Sequence, residues 1–166
     1  YTVRDVVSLG RYAERRSPWE RPADGDGAIS EALERTGMTE LAGASMRRLS
    51  GGETQRAFLA QVFAQNPDVL LLDEPTNHLD FVHVERMFAM MDAWRRTPGR
   101  AVLCVVHDLS LARLYGDRIL LMQHGTVAAE GSPDTVLTSE TLRAVYGMDV
   151  TAFLRRLYAP WLRHDG

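Results

Sequence analysis

The sequence contains no lysine, and all nineteen of its basic residues are arginines. A phosphate-binding loop of the GxxxxGK[ST] type needs a lysine, whose charge reaches the β- and γ-phosphates of a nucleotide. The sequence of 166 residues therefore contains no such loop.

Cysteine and long apolar runs are also scarce. Cys104 is the only cysteine, which excludes an internal disulfide and favours a reducing compartment. No apolar run approaches the roughly 18 residues that span a bilayer, and no charged-then-apolar leader precedes a cleavage site. We therefore expect no direct membrane insertion, so that any membrane association goes through a partner.

Charge of one sign is not concentrated in the chain. The net charge is −3, and the arginines are scattered or in isolated pairs such as Arg47-Arg48. A nucleic-acid surface needs a basic patch, so we expect no nucleic-acid partner. The hydrophobic fraction of 45% and charged fraction of 25% are typical of a globular domain.

The first 48 residues have helical patterns only. Thr2 and Asp5 have capping-box spacing, and valines recur at helical intervals behind them, which predicts a helix to about Ala13. Prolines and glycines predict a loop over 17–27, and a second helix then ends at Gly37. A short helix is predicted over 39–42. Because the chain opens at Tyr1 inside a helical pattern, we expect it to be a piece of a longer protein.

From Leu49 onward, strands alternate with helices. The predicted elements are a helix ending near Asn66-Pro67, a buried strand over 69–72, a helix over 82–96, a buried strand over 101–106, a helix over 110–115, a hairpin of strands 119–122 and 126–130 turning at His124-Gly125, and a helical tail from Ser132-Pro133. Strand–helix–strand alternation predicts an α/β fold with parallel strands.

Two glycines precede the first of these helices, in Leu49-Ser50-Gly51-Gly52-Glu53. Glycines let a backbone approach a ligand closely, and a helix N-terminus directs N–H groups and positive charge toward an anion. The same residues also suit a plain capping box, in which Ser50 and Glu53 satisfy each other's backbone N–H groups. Both readings stay open at this point.

Polar residues follow both predicted parallel strands. Asp73 and Glu74 end the first strand, at the edge where open α/β sheets bind ligands. One acid there can hold Mg²⁺ while the other orients or activates a water. Asn77-His78-Leu79-Asp80 by itself suits a turn and helix cap, and His107 by itself suits a hydrogen-bonded structural histidine.

In this order and spacing, the four segments resemble the motifs of ABC ATPases. Residues 49–53 look like the ABC signature, Asp73-Glu74 like the end of Walker B, residues 77–80 like the D-loop, and His107 like the switch histidine. The resemblance implies a P-loop NTPase-like α/β core with a helical subdomain. It implies subdomains at 1–48 (helical), 49–131 (catalytic) and 132–166 (C-terminal helical tail), with the Walker A and Q-loop segments upstream of Tyr1.

The resemblance also implies roles for individual residues. Asp73 would bind Mg²⁺, Glu74 would polarise the attacking water, and His107 would contact the γ-phosphate of ATP. Asp80 would couple the two ATP sites of a dimer of such subunits. Ser50, Gly51, Gly52 and Glu53 would meet the ATP held by a second ABC ATPase subunit in a head-to-tail dimer. Without a P-loop lysine, the chain alone is expected to be inactive as an ATPase.

Within the family, several stretches are similar to importers of iron-siderophores, haem and cobalamin. They are residues 2–7 with 10–12, 107–112, 125–127 with 130–133, and 145–150. This similarity implies transmembrane permease partners and a cytoplasmic location, peripheral to the inner face of the cell membrane. The alternatives are an F-subfamily ABC protein acting on the ribosome, whose spelling of residues 75–80 is similar, and a non-catalytic truncated fragment.

Overall fold

A computed structural model describes residues 1–14, 25–77 and 79–162. The chain divides into two compact units, Tyr1–Val106 and His107–Gly166, and each is described by itself. The predicted loop over 17–27 lies outside the described residues up to residue 24. Its last three residues form the first turn of a helix instead, where Asp26 suits the positive end of the helix dipole.

The first unit begins with helix α1, Val3–Leu9, followed by a 3-10 turn over Gly10–Glu14. The predicted capping box is confirmed: the Asp5 N–H donates to Thr2 Oγ1 at 3.2 Å, and the Thr2 N–H donates to Asp5 Oδ2 at 2.8 Å. Gly10 lies so close to the Gln61 carbonyl that a Cβ would collide with it. A glycine at this position therefore lets the turn approach the backbone of the neighbouring helix.

Helix α2, Gly25–Arg35, ends before Gly37, whose φ of 63° favours glycine. Short 3-10 turns at Thr39–Leu41 and Met46–Arg48 lead to helix α3, Gly51–Ala64. The three α-helices of this part contact one another. Their packing faces supply most of the buried apolar side chains of the unit: Val3, Val7, Ile29, Ala32, Leu33, Ala57, Leu59, Ala60, Phe63 and Ala64.

Strand β1, Val69–Asp73, pairs in parallel with strand β2, Ala101–Val105. Helix α4, Phe81–Arg95, lies between them in the chain and forms the crossover connection. The parallel βαβ arrangement is confirmed, but the prediction of two buried strands is wrong for the face that carries Leu71 and Leu103. Leu70 is 1% exposed, whereas Leu71 is 72% exposed and Leu103 is 55% exposed. An apolar run predicts a strand but not which of its faces is covered, and within the described residues the face carrying Leu71 and Leu103 is exposed.

The second unit contains helix α5, Leu109–Tyr115, and the strands β3, Ile119–Gln123, and β4, Thr126–Gly131. These strands form the predicted antiparallel hairpin, and its turn residues His124 and Gly125 have φ values of 49° and 77°. Positive φ at both central residues is typical of a type I′ turn.

The predicted helical tail is three helices: α6, Pro133–Val136; α7, Ser139–Tyr146; and α8, Val150–Leu162. Their apolar residues close a small core with the hairpin, formed by Ile119, Leu121, Val136, Leu142 and Val150. Among the described residues, no helix combines the length and hydropathy that crossing a membrane requires.

Trp94 of α4 packs against α3 in the first unit. It is 2% exposed, stacks on Phe63 of α3 with ring centroids 6.1 Å apart, and carries the Arg100 guanidinium 4.8 Å from its ring centroid. Trp94→Ala should lower the free energy of unfolding by about 3–5 kcal/mol, because it empties a large site between two elements. Urea unfolding followed by circular dichroism measures this change.

Trp161→Ala is the matched control, since Trp161 is 78% exposed and its removal leaves no internal cavity. Its effect should stay within about 0.5 kcal/mol. Equal destabilisation by both substitutions would contradict the assignment of Trp94 to the core.

The N-terminus of α3 has a complete capping box. The Ser50 N–H and the Ser50 hydroxyl both donate to Glu53 Oε2 at 2.8 Å, and the Glu53 N–H donates to Ser50 Oγ at 3.3 Å. The bonds from the Ser50 backbone and then from its hydroxyl hold the pKa of Glu53 below its ordinary value of 4.5. The ionised Glu53 carboxylate is therefore more favourable in the folded protein than in the unfolded chain.

This lowered pKa predicts a pH dependence of stability. The contribution of Glu53 is present above its ordinary pKa of 4.5 and is lost as the pH falls through the lower folded value. Between about pH 6 and about pH 3, the wild type should lose more unfolding free energy than Glu53→Gln, which does not titrate. Urea titrations of both proteins across this range test the prediction, and parallel curves would contradict it.

Candidate functional site

The turn that begins α3 presents an exposed serine and an open glycine. Ser50 is exposed, and a Cβ added at Gly51 would meet no atom within 4 Å. Free space beside backbone N–H groups at a helix N-terminus suits a close-approaching anion. In the described state the Ser50 hydroxyl hydrogen bonds to Glu53, so a contact with a ligand would require the hydroxyl to exchange partners.

Gly52, one residue further on, is closely packed. A Cβ at this position would lie 2.5 Å from His83 Nε2 and closer still to His83 Cδ2. His83 lies in the first turn of α4, whose N-cap is Asp80. The structure therefore brings the signature-like turn beside His83, three residues after the end of the D-loop-like segment.

Asp80 holds the His83 side chain in place. Asp80 Oδ1 accepts the His83 backbone N–H at 2.9 Å and lies 2.6 Å from His83 Nδ1. The backbone bond and then the ring bond lower the pKa of Asp80 below its ordinary value. Because an ionised carboxylate only accepts hydrogen bonds, His83 Nδ1 carries the proton and donates.

Asp73 and Glu74 lie at the carboxyl end of β1, as predicted. Asp73 is exposed and pairs with Val105 of β2, and the Glu74 N–H donates to the Val105 carbonyl at 3.1 Å. Glu74 has a φ of 46°, which is unusual for a residue with a side chain. Such backbone strain is concentrated at functional sites, so it supports Glu74 as a site residue.

The Glu74 carboxylate has a partner in the following turn. Asn77 Nδ2 donates to Glu74 Oε2, and the Asn77 N–H donates to the Glu74 carbonyl at 3.2 Å. This turn orients the carboxylate and starts the segment that continues to Asp80. His78, within the same segment, lies outside the described residues.

His107 belongs to the second unit, where it is exposed and directly precedes the N-cap of α5. That cap is Asp108, whose Oδ1 accepts the Ser110 N–H at 2.7 Å and the Leu111 N–H at 3.4 Å. The cap fixes the backbone that carries His107.

A metal ion would find one exposed carboxylate at the strand end, that of Asp73. No group of three or more His, Cys, Asp or Glu side chains with metal-binding geometry occurs in the described part of the chain. Mg²⁺ is usually held by one or two carboxylates, with phosphates and waters as its other ligands. Asp73 therefore fits Mg²⁺ that arrives with a nucleotide, and it does not fit a metal held by protein ligands alone.

Asn77 belongs to the predicted D-loop-like segment, but its bond to Glu74 was not predicted, nor was a role for His83. The three-residue spacing of Asp80 and His83 is a sequence signal for their bond, since it is the spacing of a helix cap. No sequence signal predicts that the His83 ring lies against Gly52, because this contact joins residues 31 positions apart.

Comparison with known proteins identifies relatives of this chain. The family model described as ABC transporter matches residues 2–77. The chain is 43% identical over 146 residues to the hemin import ATP-binding protein HmuV of Nocardia farcinica, covering 88% of this chain and 50% of that protein. It is 34% identical over 149 residues to the ferric enterobactin transport ATP-binding protein FepC of Escherichia coli, covering 89% of this chain and 54% of that protein.

Solved structures show the same fold. A metal-chelate type ABC transporter in an inward-facing conformation matches with a TM-score of 0.82 and 25% identity, over 90% of this chain and 60% of that chain. A dimeric bacterial ABC transporter cassette matches with a TM-score of 0.69 and 28% identity, over 80% of this chain and 57% of that chain.

The predicted α/β fold of the P-loop NTPase-like ABC ATPase class is thus confirmed. The chain spans about half the length of the curated relatives described above. The order of its motifs, its fold and its relatives agree: residues 2–77 match the ABC transporter family, and the homologues of the chain are ABC ATP-binding proteins.

Proposed function

We propose that this chain is the signature-bearing part of the ATP-binding subunit of an ABC importer, which couples ATP hydrolysis to uptake of an iron-siderophore, haem or a cobalamin-like substrate. The observation that carries the proposal is the N-terminus of α3, where exposed Ser50 and unobstructed Gly51 leave room for a phosphate. Relatives named for import of hemin and of ferric enterobactin support the substrate class. Those names give no support to the alternative of a ribosome-acting protein.

In this proposal, Ser50, Gly51, Gly52 and Glu53 close over ATP that is held by the P-loop of a second ABC ATPase subunit. The helix N-terminus contributes positive potential, and the Ser50 hydroxyl contributes a donor when it exchanges away from Glu53. The negative charge of Glu53 keeps this turn ordered until a phosphate takes its place. The similarity to a dimeric cassette supports a head-to-tail partner, with Asp80 near its interface.

Glu74 would act as the catalytic carboxylate for a nucleotide held within its own subunit. It would orient the water that attacks the γ-phosphate, and Asn77 would keep the carboxylate aimed. Mg²⁺, when bound, neutralises charge on the phosphates, and Asp73 would hold it. His107 would contact the γ-phosphate.

The subdomain boundaries are part of the proposal. Residues 1–48, in which α1 and α2 pack on α3, would form the helical subdomain that docks on transmembrane permease subunits. Residues 49–131 would form the catalytic part, and residues 132–166 the C-terminal helical tail. A subunit with these partners would be cytoplasmic and peripheral to the inner face of the cell membrane.

The role of Glu74 is testable in a hybrid cassette that joins the P-loop half of the Nocardia farcinica hemin importer relative to this chain. Glu74→Gln should bind ATP normally but lower kcat by about 10²-fold or more, because it removes the carboxylate that positions water. Phosphate release and nucleotide binding measured on the same preparations separate the two effects.

Two controls accompany this experiment. The isolated chain should show no turnover above its own Glu74→Gln variant, because it has no P-loop lysine. Near-normal turnover by the hybrid Glu74→Gln cassette would exclude Glu74 as the catalytic carboxylate.

The role of Ser50 across the dimer is testable in mixed dimers of the same hybrid. Ser50→Arg in one subunit should disable the nucleotide site built on the other subunit's P-loop. The long arginine side chain would fill the space that a phosphate needs. Single-turnover hydrolysis with one P-loop inactivated at a time locates the defect.

Thr2→Arg is the matched control, because Thr2 caps α1 with the same type of capping box. Both substitutions should cost about 1 kcal/mol of stability from the lost cap, but only Ser50→Arg should affect hydrolysis. A defect confined to the mutant subunit's own P-loop site, or equal defects in both variants, would refute the head-to-tail assignment.

A further inference from the structure

We propose that His83 is a positioning residue that links Gly52 of the signature turn to Asp80, and thereby joins the two nucleotide sites through contacts within one subunit. The inference rests on the proposed function, because it assigns Gly52 and Glu74 to different nucleotides of a head-to-tail dimer. It concerns contacts within the first unit only.

The first step is that the His83 ring has little freedom. A single oxygen, Asp80 Oδ1, accepts both the backbone N–H of His83 at 2.9 Å and its ring Nδ1–H at 2.6 Å. The charge-assisted ring bond fixes the tautomer, and the Nε2–Cδ2 edge of the ring then faces α3.

The second step is that this ring edge meets the backbone at Gly52. The space that a Cβ would need is filled by the ring, with Nε2 only 2.5 Å from the Cβ position. A flexible side chain would simply move aside, but His83 is held by Asp80. Position 52 is therefore restricted to glycine as long as His83 keeps its place, whereas position 51 has no such restriction.

The third step connects the ring to the strand end. Asn77 bonds to Glu74 through its side chain and its backbone N–H, and the Leu79 N–H donates to the Thr76 carbonyl at 3.2 Å. Within the described residues 74–77 and 79–83, hydrogen bonds thus tie Asn77 to Glu74 and Leu79 to Thr76, and the His83 ring meets Gly52. In the proposal, a displacement at Glu74 is passed along these residues and changes how the His83 ring supports the signature turn.

A double-mutant cycle in the complete native polypeptide tests the contact. Gly52→Ala should lower the urea midpoint, and adding His83→Ala should recover most of that loss, because the obstructing ring is gone. Gly51→Ala, combined with His83→Ala in the same way, should give additive effects. Additive effects at position 52 as well would overturn the contact as a constraint.

A second measurement separates positioning from folding. His83→Ala should leave ATP binding by the monomer unchanged, but raise the protein concentration needed for ATP-driven dimerisation by about tenfold, the order expected of coupling between contacting residues. Equilibrium ultracentrifugation with and without ATP measures the dimerisation, and Glu85→Ala, an exposed change on the same helix, should leave it unaltered.

His83→Asn sharpens this comparison. An asparagine amide can still donate to Asp80, the N-cap of α4, but it lacks the ring edge that meets Gly52. His83→Asn should keep wild-type stability, and its ATP-driven dimerisation should be weakened about tenfold, as in His83→Ala. Wild-type dimerisation by His83→Asn would overturn the proposal, whereas a wild type that neither binds ATP nor dimerises would instead refute the proposed function and leave the stability cycle intact.

Discussion

Parallel pairing of β1 with β2 is the constraint on which the candidate site depends. The ladder runs in register from Val69–Ala101 to Asp73–Val105, so both strands end at the same edge. The Glu74 N–H extends the pairing by one more bond to Val105, and the chain must then turn, which it does with a positive φ at Glu74. Strand pairing thus aligns Asp73 as the last ladder residue and imposes the strained backbone that carries Glu74. The strain is tolerated because the bonds on either side over-determine this conformation.

The helical part of the first unit holds the turn at the N-terminus of α3, which is the second part of the candidate site. α1 and α2 bury their apolar faces against α3, and Trp94 of α4 stacks on Phe63 of α3. Burial of large side chains between elements is the main source of stability in such a unit. With the body of α3 held in this way, its exposed N-terminus can keep Ser50 and Gly51 available to solvent without loss of the helix.

Much of the site was predictable because its residues act locally. The Ser50–Glu53 capping box, the acids after an apolar strand and the Asp80 helix cap all follow from spacings of a few residues, and the structure contains each of them. The burial of the strands was not predictable from the same run of letters. Apolar residues indicate a strand, but whether the face of Leu71 is covered depends on what lies across from it.

The sequence by itself determined the order of the motifs, the element types, the caps and the hairpin turn at His124-Gly125, because each depends on backbone preferences and hydrogen bonds among neighbours. It also determined that no lysine-bearing phosphate loop occurs within the chain. Only the tertiary structure decided that the His83 ring lies against Gly52 and that Trp94 joins α4 to α3. Those contacts join residues far apart in the chain, and their geometry arises from packing, which no short-range pattern encodes.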